Sequence, residues 1–408
     1  MLSGFLRCPD KNKIKMASIR VVHTSDIHLG RRFPNLDREA ELLRSGDIGR
    51  VFNELIDYVI KNKTHLLLIS GGLFDKIHPT RETVSAALGA FGRIHDALPN
   101  TRIVLTPGQE ELLLKKDSEP DCSLSIFNHL NYVRVIGAGA EPESVQLEFD
   151  GGKVQISSCQ AAAFFDEEFK KRSIPAPKDK AGIFMLCAYS RRQDLMNITN
   201  DLLREKILNP LHERGYQYVA LGHRHKLDLI DSGDFTAIFP GSLERFNFEE
   251  DRERKCFITF TIDDGKVSAP QTVRTSARPL EYINVTCSLD GKDIESGFSD
   301  IGRRGNKDKI LFIVLNGQST FDTFNNFQKS ATLSKLRDRF AFVHIENRLV
   351  LVDETDEFRL EALRVGTPAE EFKRFVSREI IEAKERGEEV KLLEELYEAG
   401  VKEIEESL

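Results

Sequence analysis

His23-Thr24-Ser25-Asp26-Ile27-His28-Leu29-Gly30 and Ala220-Leu221-Gly222-His223-Arg224-His225 decide how this chain folds. Each continues from a short apolar run, Ile19–Thr24 in one case and Tyr218–Leu221 in the other, that reads as a buried strand. Asp-x-His and Gly-His-x-His are then pairs of ligand-type side chains at strand ends, both facing one cleft. Together they make half of a metal site.

Further apolar runs predict strands over His65–Ser70, Arg102–Thr106, Val133–Ile136, Val154–Ser158, Ile183–Ala188 and Cys256–Ile262. Between several of them, Ile48–Lys61 and Thr80–Ala97 carry apolar residues at helical spacing. The alternation predicts an α/β fold with sheets buried between helices. Ligands in such folds collect beyond the carboxyl ends of strands, where Asp26, Gly71-Gly72, Gly108, Tyr189 and His223 all fall.

The pattern breaks into a polar linker around Thr272–Pro279. A smaller α/β module follows, with strands expected at Tyr282–Cys287, Lys309–Leu315 and Phe342–Val352 and a helical stretch between the last two. Beyond Asp353 the sequence is acidic and helical. Thr367, Pro368 and Glu370 are placed to start a helix whose face is Phe372, Phe375, Val376, Ile380 and Ala383. A second helix places Leu393, Leu396, Tyr397, Val401 and Ile404 on one face. The expected domains are therefore 17–275, 279–353 and 354–408.

At 408 residues, with 40% hydrophobic residues, the chain has material for more than one core. A net charge of −7 argues against a uniformly basic nucleic-acid binder, while leaving room for a local basic surface. Six scattered cysteines without a Cys-x-x-Cys predict free thiols in a reducing compartment. No apolar stretch approaches the roughly 20 residues of a membrane span. Residues 1–15 lack the apolar core of a signal peptide, and Met16 is the expected start. The expected location is cytoplasmic or nucleoid-associated, with no membrane partner.

Five ordered segments carry a family likeness: His23 to Gly30, Gly71-Gly72-Leu73-Phe74-Asp75, Pro107-Gly108-Gln109-Glu110-Glu111, Cys187-Ala188-Tyr189-Ser190 and Gly222 to His225. They resemble the motif series of calcineurin-like metallophosphoesterases. Within these, the chain is most similar to the SbcD or meiotic-recombination-eleven nucleases of DNA double-strand-break repair, and Phe239-Pro240-Gly241-Ser242-Leu243-Glu244-Arg245-Phe246-Asn247-Phe248 strengthens that likeness. The resemblance implies a metallophosphoesterase-type β-sandwich flanked by helices, a small α/β capping domain, and C-terminal helices that bind an SbcC-type coiled-coil ATPase. It also implies DNA as a partner and a homodimer.

In that family two metals hydrolyse phosphodiester bonds. The resemblance puts Asp26, His28 and His225 on one metal, and His223 on the second. The remaining positions depart. Gly72 stands in place of the bridging Asp, Gln109 of an Asn, Glu110 of the catalytic His, and Ala188 or Tyr189 of a metal-binding His. Two dications 4 Å apart repel by about 16 kcal/mol at an effective dielectric constant of 20, and glycine offers no charge to offset it. The expected cofactor is one Mn²⁺ or Zn²⁺, with no second metal.

Other residues have plainer readings. His223 is expected to act as a donor to the ligands, Glu110 and Glu111 to form a solvated acidic turn, and Asp75 to cap a helix or accept from a ligand. His23 reads as a satisfied core histidine, Cys187 as a buried strand thiol, and Arg31-Arg32 as solvated surface. Two functions follow. The first is an SbcD-like scaffold subunit without two-metal nuclease activity, and the second a mononuclear or rearranged metal-dependent phosphodiesterase.

Overall fold

The computed structural model describes residues 18–352, apart from 34–35, 37, 114–120, 140, 166–173, 178–180, 189–198, 232–234, 289–291 and 329, and isolated positions between 372 and 400. The chain divides into two compact units, Met1–Tyr282 with Lys307–Phe312, and Ile283–Asn306 with Ile313–Leu408.

The larger unit is built on two sheets. In chain order its strands begin with β1 (Ile19–Thr24), β2 (Leu66–Ser70), β3 (Arg102–Thr106), the short pair β4 (Leu112–Leu113) and β5 (Asp121–Cys122), and β6 (Val133–Val135). They continue with β7 (Glu143–Phe149), β8 (Gly152–Ser158), β9 (Ala181–Cys187), β10 (Tyr218–Gly222), β11 (Asp228–Asp231) and β12 (Thr236–Phe239). Last are β13 (Cys256–Asp263), β14 (Lys266–Val267) and β15 (Gln271–Arg274).

The first sheet runs β14-β13-β1-β2-β3-β6, with β15 also on β13. β1, β2, β3 and β6 are parallel, so their carboxyl ends lie on one edge. The second sheet runs β11-β12-β10-β9-β8-β7, with β8, β9, β10 and β12 parallel. Val21, Leu68, Val104, Ile156, Met185 and Ala220 pack between the sheets. The opposite face of the first sheet is covered by α1 (Arg38–Lys61) and α2 (Arg81–Ala97), through Val51, Leu55, Phe91 and Ile94. The opposite face of the second is covered by the helical segment from Asn200 to Glu213, through Leu203, Ile207 and Leu211. Burying each such side chain contributes roughly 1.5–3 kcal/mol. The result is the expected mixed α/β sandwich flanked by helices.

One polar bridge crosses this apolar middle. Ser70 Oγ donates to Leu221 O at 3.0 Å, so its oxygen accepts from His23 Nε2–H at 2.7 Å. His23 Nδ1 then accepts the Tyr218 hydroxyl at 2.8 Å. Burial lowers the imidazole to about 3, which keeps it neutral. His23 is the satisfied core histidine that the apolar run predicts.

Several elements depart from the sequence reading. β15 occupies part of the expected linker and pairs with Cys256–Thr259, its polar residues facing out from a sheet edge. α1 opens ten residues before the apolar spacing shows, because Arg44 and Asp47 fill its buried face. They do so as a pair, Arg44 Nη1 to Asp47 Oδ2 at 2.8 Å, completed by Glu244 and by Arg278.

The smaller unit carries most of a four-stranded sheet of Leu280–Cys287, Ile310–Thr320, Phe342–Asn347 and Val350–Val352, with a helix at Lys292–Arg303 that the sequence reading omits. The two helices expected at the C-terminus fall largely outside the described residues. Phe372 is helical, as are 375–377, Glu379, Ile380, Ala383, Tyr397, Ala399 and Gly400. Gly400 lies against the Phe372 ring, which a Cβ there would meet. No helix among the described residues is long and apolar enough to cross a membrane.

Candidate metal centre

The loops after β1 and β2 are zipped together beyond the sheet. Asp26 N–H donates to Gly71 O at 3.0 Å, His28 N–H to Gly72 O at 2.7 Å and Leu29 N–H to Leu73 O at 2.8 Å. This demands unusual backbone. Asp26 and His28 take φ of 50° and 53°, and His223, arriving from β10, takes 97°. Non-glycine residues in the left-handed region cost about 1–3 kcal/mol and concentrate at functional sites. Gly222 allows the third loop to approach, since a Cβ there would lie 1.6 Å from Ser70 O.

These loops bring together three of the expected ligands. One donor atom each of Asp26, His28 and His225 lies within 4.8 Å of the others. His28 and His225 rings are 5.2 Å apart, and the Phe246 ring stands 5.1 Å from each. Asp26 accepts Ser25 Oγ–H at 2.6 Å and His223 N–H at 3.0 Å. The donor expected of His223 is thus its backbone, and burial lowers its imidazole below the ordinary value.

Both histidines are backed by carboxylates. Asp75 Oδ1 lies 3.1 Å from His28 Nδ1, and Glu250 Oε1 lies 3.3 Å from His225 Nδ1. Burial pushes His28 down, but Asp75, Asp26 and Glu110 together hold it above its ordinary value. Burial likewise pushes Glu250 up, while His225 and Lys255 hold it below the carboxylate range. Metal-binding histidines commonly turn one ring nitrogen to such a carboxylate and the other to the ion. His28 is 3% exposed, and with Nδ1 facing Asp75 its buried Nε2 has no hydrogen-bond partner among the described residues. A buried imidazole nitrogen left in that state beside Asp26 and His225 fits a cation held by these three side chains. Glu250 was not anticipated; its spacing from Asn247, whose Oδ1 accepts Glu250 N–H at 3.1 Å, was the available signal.

The positions expected to depart from the family pattern lie beside these three ligands. A Cβ on Gly72 would lie 2.8 Å from Asp26 Cα and 3.1 Å from Asp26 Oδ1, at φ +68°. Gln109 Nε2 donates to Glu110 Oε1 at 2.5 Å. Ala188, buried and apolar, donates its N–H to Gly222 O; Tyr189 lies outside the described residues. Cys187 ends β9 with its thiol near Gly71, raised well above its ordinary value by burial and then by Asp26, Glu110 and Glu111.

The expected solvated turn is corrected at Glu111, whose exposure is 0%. Its Oε2 accepts Gly72 N–H at 3.0 Å and Gly108 N–H at 2.8 Å, and its Oε1 accepts Phe74 N–H at 2.8 Å. One carboxylate thereby ties the loops after β2 and β3. Burial pushes it up to about 7 in spite of these three donors. Arg31 is likewise not free surface, since it bonds Asp75 at 3.2 Å and lies 4.7 Å from the Phe246 ring centre.

No family model matches the chain. It is 33% identical over 311 residues to the DNA double-strand break repair protein Mre11 of Sulfurisphaera tokodaii, covering 74% of this chain and 75% of that protein. The Mre11 proteins of Methanocaldococcus jannaschii and Saccharolobus solfataricus are 25% and 22% identical, over 75% and 76% of their lengths. Among solved structures, GAP50, the anchor in the inner membrane complex of Plasmodium, is 11% identical with a TM-score of 0.35, covering 64% of this chain and 89% of that one. A predicted phosphoesterase from Streptococcus pneumoniae is 12% identical with a TM-score of 0.29, covering 64% and 99%.

Proposed function

Since the chain belongs to the Mre11/SbcD family of metallophosphoesterases, we propose that it serves DNA double-strand-break repair. It acts as a DNA-binding, dimeric scaffold for an SbcC-type coiled-coil ATPase, without two-metal nuclease activity. In this reading residues 17–275 form the phosphoesterase domain, 279–353 the cap and 354–408 the ATPase-docking helices.

The observation that carries the reading is at Gly72. Glycine supplies no bridging carboxylate there, and a Cβ added at its left-handed backbone would lie 2.8 Å from Asp26 Cα. Asp26, His28 and His225 would hold one Mn²⁺ or Zn²⁺. When bound, such an ion supplies Lewis acidity toward a phosphoryl oxygen. Asp75 and Glu250 orient the two imidazoles, Phe246 packs edge-on against both, and His223 fixes Asp26 through its backbone N–H.

Purified protein is expected to bind duplex DNA and the ATPase, to bind one Mn²⁺ per chain, and to cut no DNA in manganese. Robust cleavage abolished by His225→Ala would sink this reading. It would favour the second one, a mononuclear or rearranged phosphodiesterase, for which the carboxylate-backed pair His28 and His225 is the supporting observation.

A further inference from the structure

A cavity of about 250 Å³ opens beside the triad within the larger unit. Phe33, Phe246 and Phe248 wall it, and Arg31, Arg32 and Asn247 also line it. Phe246 is shared with the metal centre, where its ring touches both His28 and His225.

These walls are fixed before any ligand arrives. Arg31 lies over Phe246 while bonded to Asp75. Arg44, buried and paired with Asp47, lies 5.3 Å from the Phe33 ring centre. From Phe248 the aromatic surface continues to Phe312, with centroids 4.3 Å apart, and on to exposed Tyr282, stacked at 5.5 Å and 12°.

Polar capacity remains where a nucleotide would need it. Arg32 is exposed and has no ion-pair partner among the described residues, so its charge is available to a phosphate. Asn247 spends its Oδ1 on the Glu250 N–H and keeps its amide N–H groups for a base edge. Ring faces interleaved with guanidinium groups recognise unstacked bases, since every base offers a π-face. A paired duplex keeps its bases stacked and cannot use such walls. The volume falls below the ~300–1,000 Å³ of drug-sized sites, a scale suited to one heterocycle.

On the reading that this chain binds DNA, from which it follows, we infer that the cavity holds one unstacked nucleobase of a frayed or overhanging DNA end. The adjoining phosphate sits on Arg32, and Tyr282 with Phe312 extends the stacking surface.

The test titrates the full chain, in EDTA so that no strand is cut, against three fluorescein-labelled duplexes: blunt, with a short thymidine overhang, and with an abasic overhang of equal length. The thymidine overhang is expected to bind about tenfold more tightly than the other two, the scale of one base–aromatic stack. Phe248→Ala is expected to remove that preference. Arg32→Ala, a surface change that leaves the fold intact, is expected to weaken overhang binding more than blunt binding. Equal affinity for all three duplexes overturns the inference and leaves the DNA-binding reading standing. No binding to any of them overturns both.

Discussion

Asp26 Cα stands 2.8 Å from the point where a side chain on Gly72 would begin. Both residues are in the left-handed region, and their loops are joined by backbone hydrogen bonds on either side of that contact. Any side chain on Gly72 would therefore start against the Asp26 backbone, from left-handed backbone.

Gly72→Asp is expected to destabilise the protein by about 1–3 kcal/mol, the cost of forcing a side chain into left-handed backbone. Calorimetry would show the fall in Tm, and metal analysis is expected to find no second equivalent. A variant as stable as the parent that takes up two metals would contradict this account of the site.

Glu111→Ala strands three buried N–H groups, and a loss of about 3 kcal/mol or more is expected in urea unfolding. The pH dependence has a definite sign. Burial raises this carboxyl from 4.5 to about 7 in the folded protein. Its contribution to stability is full below pH 4.5 and is lost as pH rises toward 7, because only the unfolded chain ionises in that interval. Glu111→Gln, which does not ionise, should flatten that part of the profile.

His23 works in the opposite direction. Its folded value of about 3 lies below the ordinary 6.5, so its contribution is present above pH 6.5 and is lost as pH falls toward 3. The two windows overlap between 4.5 and 6.5, and only single-site variants compared by unfolding at pH 5 and pH 8 separate them. His23→Ala also leaves the buried Tyr218 hydroxyl without its acceptor, a cost of about 1–3 kcal/mol, while Ser70 keeps its bond to Leu221 O.

Gly222→Ala is expected to be the most damaging single change, at or above about 4 kcal/mol. Its Cβ would lie 1.6 Å from Ser70 O, where neither sheet has room to yield. Expression as soluble, folded protein with an unchanged Tm would show that the sheets do not approach as closely as described.

The core strands were legible because β1, β2, β3, β9 and β10 are short, nearly continuous apolar runs buried on both faces. Edge strands were not. β7 alternates polar residues outward, and β15 has only Val273 half-buried. α1 was shortened in the reading because Arg44 and Asp47 sit on its buried face, paired with partners some 200 and 231 residues away. Among the site residues, Asp26, His28 and His225 were found by spacing. Glu111 looked no different from Glu110 beside it, and Glu250 carried only a capping signal.

The sequence by itself determined the family, the core strands that carry the site, and the Asp26, His28 and His225 set at their ends. Residue identity and the pattern of apolar runs are local properties, readable along the chain. Only the tertiary structure decided that Glu111 joins the loops behind Gly72, that Glu250 and Asp75 back the two histidines, and that Gly72 lies against the Asp26 backbone. Those are contacts between segments remote in sequence, made by backbone in rare conformations. No local spacing encodes the distance between two loops.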